Sequence, residues 1–297
     1  MSVEGPPPLL TIAMPVFNGG AALRVALASL LAQTFTDWEL LLIDDGSTDA
    51  AIAGLGSDLD TRIRIIADGA NRGLATRLNQ AIEMARGRYF ARMDHDDVAH
   101  PERLEQQVNY LEANPGTDLL GTKCLALSED NRVLGEFPFH STHASICARP
   151  WLGFYLAHPS WMGRTAWFRK HHYADPAPFR CEDQELLLRA HAESAYHCLD
   201  SVLMAYRLRD KVRLKTILRT RLALALVQLH YFGGRRDFVS LAAAIGATVL
   251  RMSKDIFLPA STGVRSEVAG SIGAEQSLWW HNWLSRVSQA AGPEAGR

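Results

Sequence analysis

Three aspartates follow a short apolar segment in the first third of the chain. Segment 89–93 is largely apolar, and Asp94, Asp96 and Asp97 come directly after it. Carboxylates this close together repel one another and are costly to bury unless a cation neutralises them. Hard oxygen ligands of this kind suit Mg²⁺ or Mn²⁺, usually shared with a phosphate. We therefore predict a divalent-metal site, since the alternative of capping the helix after Pro101 accounts for one aspartate rather than three.

Two further acidic pairs end or begin predicted elements. Asp44 and Asp45 end another apolar segment, and Glu182 and Asp183 begin an amphipathic helix. A carboxylate at the second pair would suit general-base work. The structural alternatives are an Asx turn for the first pair and a favourable interaction with the helix dipole for the second.

A nucleotide site is predicted from the residues between these acids. Phe17 follows the first apolar segment and could stack on a base, while Asp45 could accept a hydrogen bond from a base N–H. As alternatives, Phe17 belongs to the core, and Ser47 or Thr48 is the N-cap of a following helix.

Apolar runs alternate with amphipathic stretches through the first half of the chain. Strands are predicted at 9–14, 38–43, 62–66, 88–93 and 118–127, and helices at 21–32, 74–85 and 101–113. The strand segments are almost continuously apolar, as in parallel strands covered on both faces. We predict an α/β fold with a doubly wound, mostly parallel but mixed sheet and helices on both faces. Its ligands bind at the carboxyl ends of the strands, so the acidic groups should meet in one crevice.

The later part of the chain has a different character. A hairpin turn is predicted at 128–131, a helix from residue 182, a strand at 196–207, and helices from residue 211 onward. Residues 1–203 carry 17 Lys/Arg and 26 Asp/Glu, whereas residues 204–297 carry 14 Lys/Arg and 6 Asp/Glu. An acidic body with a basic C-terminal part favours contact of that part with anionic lipid or nucleic acid.

Cysteine spacing and the lengths of apolar runs predict a cytoplasmic protein without a membrane span. The four cysteines are widely spaced without C-x-x-C, which predicts free thiols in the cytoplasm. The N-terminus lacks the pattern of a signal peptide, and the longest charge-free C-terminal runs have about 13 residues against roughly 20 for a membrane span. Dinucleotide binding is disfavoured because no G-x-G-x-x-G follows the first strand.

Eight short motifs in order carry a family resemblance. They are MPVFN (14–18), QTF (33–35), LIDDGSTD (42–49), NRG (71–73), RMDHDD (92–97), PER (101–103), HPS (158–160) and ED…L…R (182–189). Together they resemble the family 2 inverting glycosyltransferases with a GT-A fold over roughly residues 9–208. The resemblance implies a catalytic domain at 1–210 and leaves a basic, mostly helical extension at 211–297.

The resemblance also implies roles for individual residues. It implies a nucleotide-sugar donor, most often linked to UDP, with Phe17 stacked on the uracil and Asp45 reading its N3–H. Asp94 would lie near the ribose. Asp96 would be the principal ligand of Mg²⁺ or Mn²⁺, with Asp94 as a second ligand. Asp183 is the catalytic base and Glu182 the second candidate. The remaining donor-site residues are Pro15, Asn18, Arg72 and Arg209.

One departure from the family pattern concerns the end of the last strand. Arg209 stands where a histidine is usual, and it could bind a diphosphate but could not ligate a metal. His158 either lines the acceptor side or has a structural role.

The acceptor implied is a hydroxyl of a saccharide or of a lipid-linked sugar, in cell-surface polysaccharide synthesis, with no nucleic-acid partner. The alternatives are a sugar-1-phosphate nucleotidylyltransferase, disfavoured because segment 14–20 lacks the basic residue of such a loop, and a non-catalytic nucleotide-sugar-binding protein.

Two alternatives also stay open for the C-terminal extension. Lys211, Lys215 and Arg219 fall on one helical face, and a later helix carries Trp279, Trp280 and Trp283. A basic amphipathic helix with interfacial tryptophans would lie peripherally on the inner face of the cytoplasmic membrane. The alternative is a helical appendage that packs on the catalytic domain.

Overall fold

Parallel strands form the first half of the sheet, in a computed structural model that describes residues 6–56, 58–209, 212–257, 268, 270 and 272–292. The elements are β1 (Leu10–Val16), α1 (Gly20–Leu31), β2 (Trp38–Asp44), β3 (Ile63–Ala67), α2 (Leu74–Met84) and β4 (Tyr89–Arg92). β1 lies between β2 and β4, with Val16 opposite Asp44 and Ala13 opposite Arg92. The acidic segments after β2 and β4 therefore leave the sheet at the same edge, as predicted.

The second half makes the sheet mixed. It contains β5 (Val98–Ala99), α3 (Arg103–Ala113), β6 (Leu119–Leu127), β7 (Val133–Glu136), α4 (His143–Ile146), β8 (Met162–Arg164), α5 (Thr165–Lys170), α6 (Glu182–Ala190) and β9 (Tyr196–Arg207). The strand order is β3-β2-β1-β4-β8-β6-β9-β5, and β7 pairs with β6. β8 runs antiparallel between β4 and β6, and β9 is parallel to β6. The predicted mixed α/β sheet is confirmed, and β7 pairs antiparallel with β6 across the hairpin turn predicted at 128–131. The short strands β5 and β8 were not predicted.

Three long helices form the C-terminal part of the described chain: α7 (Leu214–Gly234), α8 (Phe238–Phe257) and α9 (Ala274–Ala290). The predicted helical character is confirmed there, while Lys211 lies outside the described residues. None of the helices in the described ranges is long and apolar enough to cross a membrane. All four cysteines are free, as predicted.

Helix α9 packs against the edge of the sheet. The side chains of Trp280 and Trp283 are only 1% and 7% exposed and join a cluster with Val98 and Ala205 from β5 and β9. The indole N–H of Trp283 donates to the carbonyl oxygen of Ala99 over 2.9 Å. Since β5 is the last strand in the sheet order, α9 covers an edge that would otherwise expose backbone polar groups.

The position of α9 decides between the two alternatives for the tryptophans. An interfacial role is wrong for Trp280 and Trp283, because both belong to the protein interior. Trp279 is 38% exposed and stacks on His100, with 4.3 Å between ring centroids. The tryptophans of this helix therefore attach the extension to the N-terminal domain.

Helices α7 and α8 pack on each other, and α7 also packs on α6. Phe232 of α7 is buried in the same cluster as Leu186 and Leu187 of α6. The amide of Gln228 donates to the carbonyl oxygen of Trp151 over 3.0 Å. The division into domains at residue 210 stays a prediction, and residues 210 and 211 lie outside the described chain.

Replacing Trp283 by alanine should detach α9 from the sheet edge. The change removes a buried ring and leaves the Ala99 carbonyl without its donor, so we expect a loss of about 3–5 kcal/mol in the free energy of unfolding. Urea denaturation followed by circular dichroism measures it. Leu278→Ala, at an exposed position of the same helix, is the control and should cost under about 0.5 kcal/mol. Equal losses for the two variants would contradict this packing.

Candidate active site

A buried arginine lies at the end of β4. Arg92 is 1% exposed, and its guanidinium pairs with the carboxylate of Asp94. Removing a guanidinium from water is costly unless a carboxylate compensates, so this pair fixes the first acid of the loop. Arg103, also fully buried, donates to the carbonyl oxygens of Arg92 over 2.8 Å and of Pro159 over 3.0 Å. The end of β4 is therefore held by α3 and by the turn at 158–160.

A second arginine fixes the rest of the loop at residues 94–97, which we call the acidic loop. The backbone N–H of Arg207 donates to Asp97 Oδ1 over 2.8 Å, and its Nε donates to the carbonyl oxygen of Asp96 over the same distance. Its other nitrogens donate to the carbonyl of Ser128 and to Asn131 Oδ1. Arg207 thus ties the acidic loop to the turn between β6 and β7.

Arg207 was not among the predicted site residues, because an arginine that ends a strand carries no signal of its own. Arg209, which was predicted, is exposed two residues beyond the end of β9. The structure therefore assigns the contacts with the loop to Arg207 and leaves the side chain of Arg209 open to solvent.

Arg92 and Arg207 do not fully compensate the negative charge of the acidic loop, because the pKa values of two of its aspartates are raised. Burial raises the pKa of Asp96, and the negative charge of Asp94 raises it further. Burial and both neighbouring carboxylates raise the pKa of Asp97 well above its usual range. Asp97 Oδ2 is buried with no hydrogen-bond partner. Such a loop is stabilised by a cation.

The donor set fits a divalent cation that shares its ligands with a substrate. Within the described ranges, no group of three or more His, Cys, Asp or Glu side chains is arranged to hold a metal. Asp94 and Asp96 supply two carboxylates. Apart from the backbone N–H of Asp96 itself, no residue in the described ranges donates a hydrogen bond to the carboxylate of Asp96. Mg²⁺ commonly binds through one or two carboxylates plus substrate phosphates. The residues therefore fit the predicted Mg²⁺ or Mn²⁺ when a phosphate group completes its coordination.

The first turn of α6 brings a second acidic pair to the same place. Burial raises the pKa of Glu182 to about 7, with the charge of Asp183 as the next cause. Burial also raises the pKa of Asp183, while hydrogen bonds from Gln184 and the positive charge of Arg92 oppose the rise. Arg92 pairs with Asp94, and its positive charge also acts on both α6 acids, so the acids of the two elements lie within electrostatic range of one guanidinium.

The side chain of Gln184 positions Asp183. Its Nε2 donates to Asp183 Oδ2 over 3.1 Å and to the carbonyl oxygen of Phe154 over 3.2 Å. Its Oε1 accepts from the backbone N–H of Phe154 over 2.8 Å. The candidate base is therefore connected to segment 150–154, which α7 holds from the other side through Gln228.

His158 is partly buried next to this charge cluster. It shares a hydrogen bond of 2.7 Å with the hydroxyl of Tyr173, which is buried. Desolvation and the positive charge of Arg92 hold the pKa of His158 well below its usual range. A histidine with a fixed partner and a lowered pKa favours the structural alternative.

Asp45 joins the loop after β2 to the start of α2. Its Oδ1 accepts from the backbone N–H of Arg72 over 2.7 Å and from Arg77 Nε over 2.9 Å, and its Oδ2 accepts from the N–H of Gly73 over 3.0 Å. Arg77, fully buried, was missed by the sequence analysis, because its helix position resembles any other polar site. Oδ2 has the fewer partners and keeps acceptor capacity for a ligand N–H.

The neighbouring turn has two features. Asp44 Oδ1 accepts from the backbone N–H of Ser47 over 2.9 Å, so the turn alternative is confirmed for Asp44. Gly46 has a φ of +74°, and a Cβ there would lie 2.9 Å from the backbone of Asn71. Glycine therefore allows the loops after β2 and β3 to approach closely.

The loop after β1 contains the other donor-site candidates. Phe17 is 46% exposed, which contradicts the core alternative, while Pro15 is buried within β1 opposite Ile43. Asn18 Oδ1 accepts from the backbone N–H of Thr48 over 2.8 Å. This bond ties the loops after β1 and β2 together.

Two expectations for these loops change. The next helical turn after Ser47 begins only at Ala53, and the Oγ of Ser47 accepts from the backbone N–H of Asn18 over 3.0 Å. The N-cap alternative is therefore wrong. The exposed side chain of Arg72 pairs with Asp68 over 3.1 Å. In this state Asn18 and Arg72 therefore contact the protein itself, and their contact with a donor stays a prediction.

Comparison with known sequences gives a family. The sequence model described as glycosyl transferase family 2 matches residues 11–171, more than half of the chain. The beta-1,3-glucosyltransferase WfgD of Escherichia coli, which is named for UDP-Glc and a GlcNAc-diphosphoundecaprenol acceptor, is 30% identical over 129 residues, covering 43% of this chain and 50% of the relative. The bifunctional glycosyltransferase pgtA of Dictyostelium discoideum is 40% identical over 111 residues, covering 35% of this chain and 14% of the relative. The chain thus spans half or less of the length of these relatives.

Comparison with solved structures gives the fold. The structure of Staphylococcus aureus TarS residues 1–349 with UDP-GlcNAc has a TM-score of 0.60 at 18% identity, covering 96% of this chain and 81% of that chain. The mannosyltransferase PcManGT of Pyrobaculum calidifontis, solved with GDP-Man and Mn²⁺, has a TM-score of 0.55 at 15% identity, covering 96% and 86%. The predicted GT-A fold is confirmed.

The half-buried carboxyl of Glu182 should make stability depend on pH. Because the folded pKa is about 7 and the ordinary value is 4.5, the folded state retains a proton that the unfolded state has lost between these values. This contribution to the free energy of unfolding falls as pH rises from about 4.5 to about 7. Glu182→Gln removes the titration, so its stability relative to the wild type should be higher at pH 8 than at pH 5.

Urea denaturation at the two pH values measures this difference. Glu185→Gln, in the same helical turn but paired with Arg189, is the matched control and should show no such rise. A constant difference between Glu182→Gln and the wild type across this range would contradict the assigned environment.

Proposed function

The chain belongs to glycosyl transferase family 2, and we propose that it transfers a sugar from a UDP-linked donor to an acceptor hydroxyl with inversion at the anomeric carbon. The observation that carries the proposal is the meeting of two acidic elements around Arg92. One supplies the carboxylates suited to a metal-bound diphosphate, and the other supplies a base.

Donor binding is proposed at the carboxyl ends of β1, β2 and β4. Phe17, exposed after β1, stacks on the uracil, and Asp45 Oδ2 accepts its N3–H. Pro15 and Asn18 shape this loop. Arg72 and Arg209, both exposed, can turn to the diphosphate. The UDP-Glc in the name of the E. coli relative supports this choice of nucleotide.

Asp96 and Asp94 would hold the divalent cation, with Asp96 the principal ligand. Bound there, Mg²⁺ or Mn²⁺ would supply positive charge against the charge that develops on the leaving diphosphate. Arg92 keeps the Asp94 carboxylate in place, and Arg207 keeps the backbone of Asp96 in place. The protein's own task is to hold these ligands before the donor arrives.

Asp183 is the proposed catalytic base. It takes the proton of the acceptor hydroxyl while that oxygen forms the new bond to the anomeric carbon. The bond from this carbon to the diphosphate breaks on the opposite face, and its electron pair leaves with the diphosphate. A single displacement inverts the centre and needs no enzyme nucleophile. Burial, which raises the pKa of Asp183, also makes the carboxylate a stronger base.

A saccharide or lipid-linked acceptor is proposed, with a role in cell-surface polysaccharide synthesis. The diphosphoundecaprenol acceptor named for the E. coli relative supports the lipid-linked form. Segment 150–154, next to Gln184, lies beside the base and can contribute to the acceptor wall.

A donor screen tests the activity as a whole. The protein is incubated with Mn²⁺ and a panel of nucleotide sugars, and release of free nucleoside diphosphate is measured. A glycosyltransferase releases the diphosphate from its donor. A nucleotidylyltransferase exchanges pyrophosphate instead, and a binding protein releases nothing, so either result would contradict the proposal.

Changing Asp183 to asparagine should abolish transfer and spare donor binding. The substitution keeps the shape and the hydrogen bond to Gln184 but removes the basic oxygen, so we expect kcat to fall about 10³-fold or more while the Kd for UDP with Mn²⁺ changes less than about threefold. Glu185→Gln is the control on the same helix. Normal transfer by Asp183→Asn would move the base to Glu182.

Changing Asp96 to asparagine should weaken the metal-dependent binding of UDP. Because loss of an outer-shell partner already costs a metal site about 10- to 100-fold in affinity, loss of a carboxylate ligand should cost at least about 10-fold. Isothermal titration of UDP with and without Mn²⁺ measures this loss. Asp97→Asn is the matched control, because Asp97 is buried and an asparagine oxygen can still accept from Arg207. Equal effects of the two changes would remove Asp96 from the proposed ligand set.

A further inference from the structure

An exposed apolar surface runs along α7 and α8. On α7, Leu222, Leu226 and Leu229 are spaced as neighbours on one helical face, and each is about half exposed. On α8, Phe238, Ile245 and Val249 are likewise on one face and are 67%, 52% and 59% exposed. We refer to these six side chains as the hairpin surface.

The hairpin surface is separate from the faces of α7 and α8 that pack against the rest of the protein. Phe232 and Gln228 of α7 and Ala244 of α8 are buried, so the faces that stabilise the fold are separate from the exposed ones. Leaving large apolar side chains in water costs free energy, and a group of exposed apolar side chains such as this one indicates an interaction site.

Positive charge surrounds the hairpin surface. Residues 212–257 carry eight Lys/Arg and two Asp/Glu, a formal balance of +6. Lys215 and Arg219 are exposed and precede Leu222 along the same face of α7. Arg235 and Arg236 are exposed in the turn that joins the helices. The cations therefore flank the apolar side chains at both ends of α7.

Exposed apolar side chains flanked by positive charge favour one kind of binding partner for the hairpin surface. Apolar side chains that enter the boundary between headgroups and acyl chains, with cations at the level of the phosphates, describe a helix pair on an anionic bilayer. A second copy of the chain would bring two such positively charged hairpins together, which their repulsion opposes. We propose that the hairpin surface docks on a membrane containing anionic phospholipid.

The hairpin is also connected to the candidate base. Gln228 of α7 donates to the carbonyl of Trp151, and Arg251 of α8 donates to the carbonyl of Leu152 over 3.0 Å. Gln184 joins the same segment to Asp183. Docking therefore holds segment 150–154 one helix layer, about 10 Å, away from the lipid surface, on the side from which a lipid-linked acceptor would approach. This last step rests on the proposed function, whereas the docking itself does not.

Vesicle co-sedimentation of the full chain tests the docking. Vesicles of equal parts phosphatidylglycerol and phosphatidylcholine are compared with pure phosphatidylcholine. The wild type should bind the anionic vesicles, and Leu226→Glu/Val249→Glu should bind them about tenfold or more weakly. Ile65→Glu, at an exposed position of β3, is the matched control and should bind as the wild type does. Lys215→Gln/Arg236→Gln should weaken binding to the anionic vesicles, most at low salt.

Three outcomes would overturn the docking. They are failure of the wild type to bind anionic vesicles, unchanged binding by Leu226→Glu/Val249→Glu, and conversion of a dimer to a monomer by that variant in sedimentation velocity. Circular dichroism and UDP affinity, which should match the wild type, show that the variant is folded. Vesicle binding without any release of nucleoside diphosphate would contradict the proposed function and leave the docking intact.

Discussion

The buried guanidinium of Arg92 is the interaction on which the candidate site depends. A charge removed from water must be compensated, and the carboxylate of Asp94 compensates it at the end of β4. The same charge acts on Glu182 and Asp183 across the crevice, so it reduces the repulsion between acids that belong to distant parts of the chain. Without this cation, the acidic loop and the start of α6 would have to separate or take up protons. Arg92 therefore explains how the candidate metal-binding loop and the candidate base can lie near each other before any ligand is present.

The rest of the site extends outward from this pair through groups that fix backbone positions. Arg103 holds the end of β4, Arg207 holds the loop that follows, and Gln184 joins the base to segment 150–154. The C-terminal helices also fix backbone positions. Helix α9 covers the sheet edge at β5, and α7 holds segment 150–154 through a hydrogen bond from Gln228. The extension therefore supports the catalytic fold, and it leaves one apolar and positively charged surface for the membrane docking that we propose.

Sequence patterns predict most of the sheet and miss the residues that organise the site. Continuous apolar runs identify β1, β2, β4 and β6, because a strand buried on both faces admits few polar residues. The strands β5 and β8, two and three residues long, depend on neighbours distant in sequence and give no periodicity. Acids whose spacing was informative, such as Asp96 and Asp183, could be predicted as candidates. Arg207 and Arg77 could not, since their partners are backbone groups and carboxylates that only the fold brings near. Trp280 and Trp283 were open to two interpretations because burial cannot be read from their helical spacing.

The central claim is that carboxylates after β4 and at the start of α6 face one cation-bound diphosphate. Anomalous diffraction from crystals grown with UDP and Mn²⁺ tests it directly. We expect one manganese peak bound by the carboxylate of Asp96 and by oxygens of both phosphates, with Asp183 across the same crevice and the uracil between Phe17 and Asp45. A manganese–UDP complex in a different hollow, or a peak that leaves Asp96 uncoordinated, would contradict it.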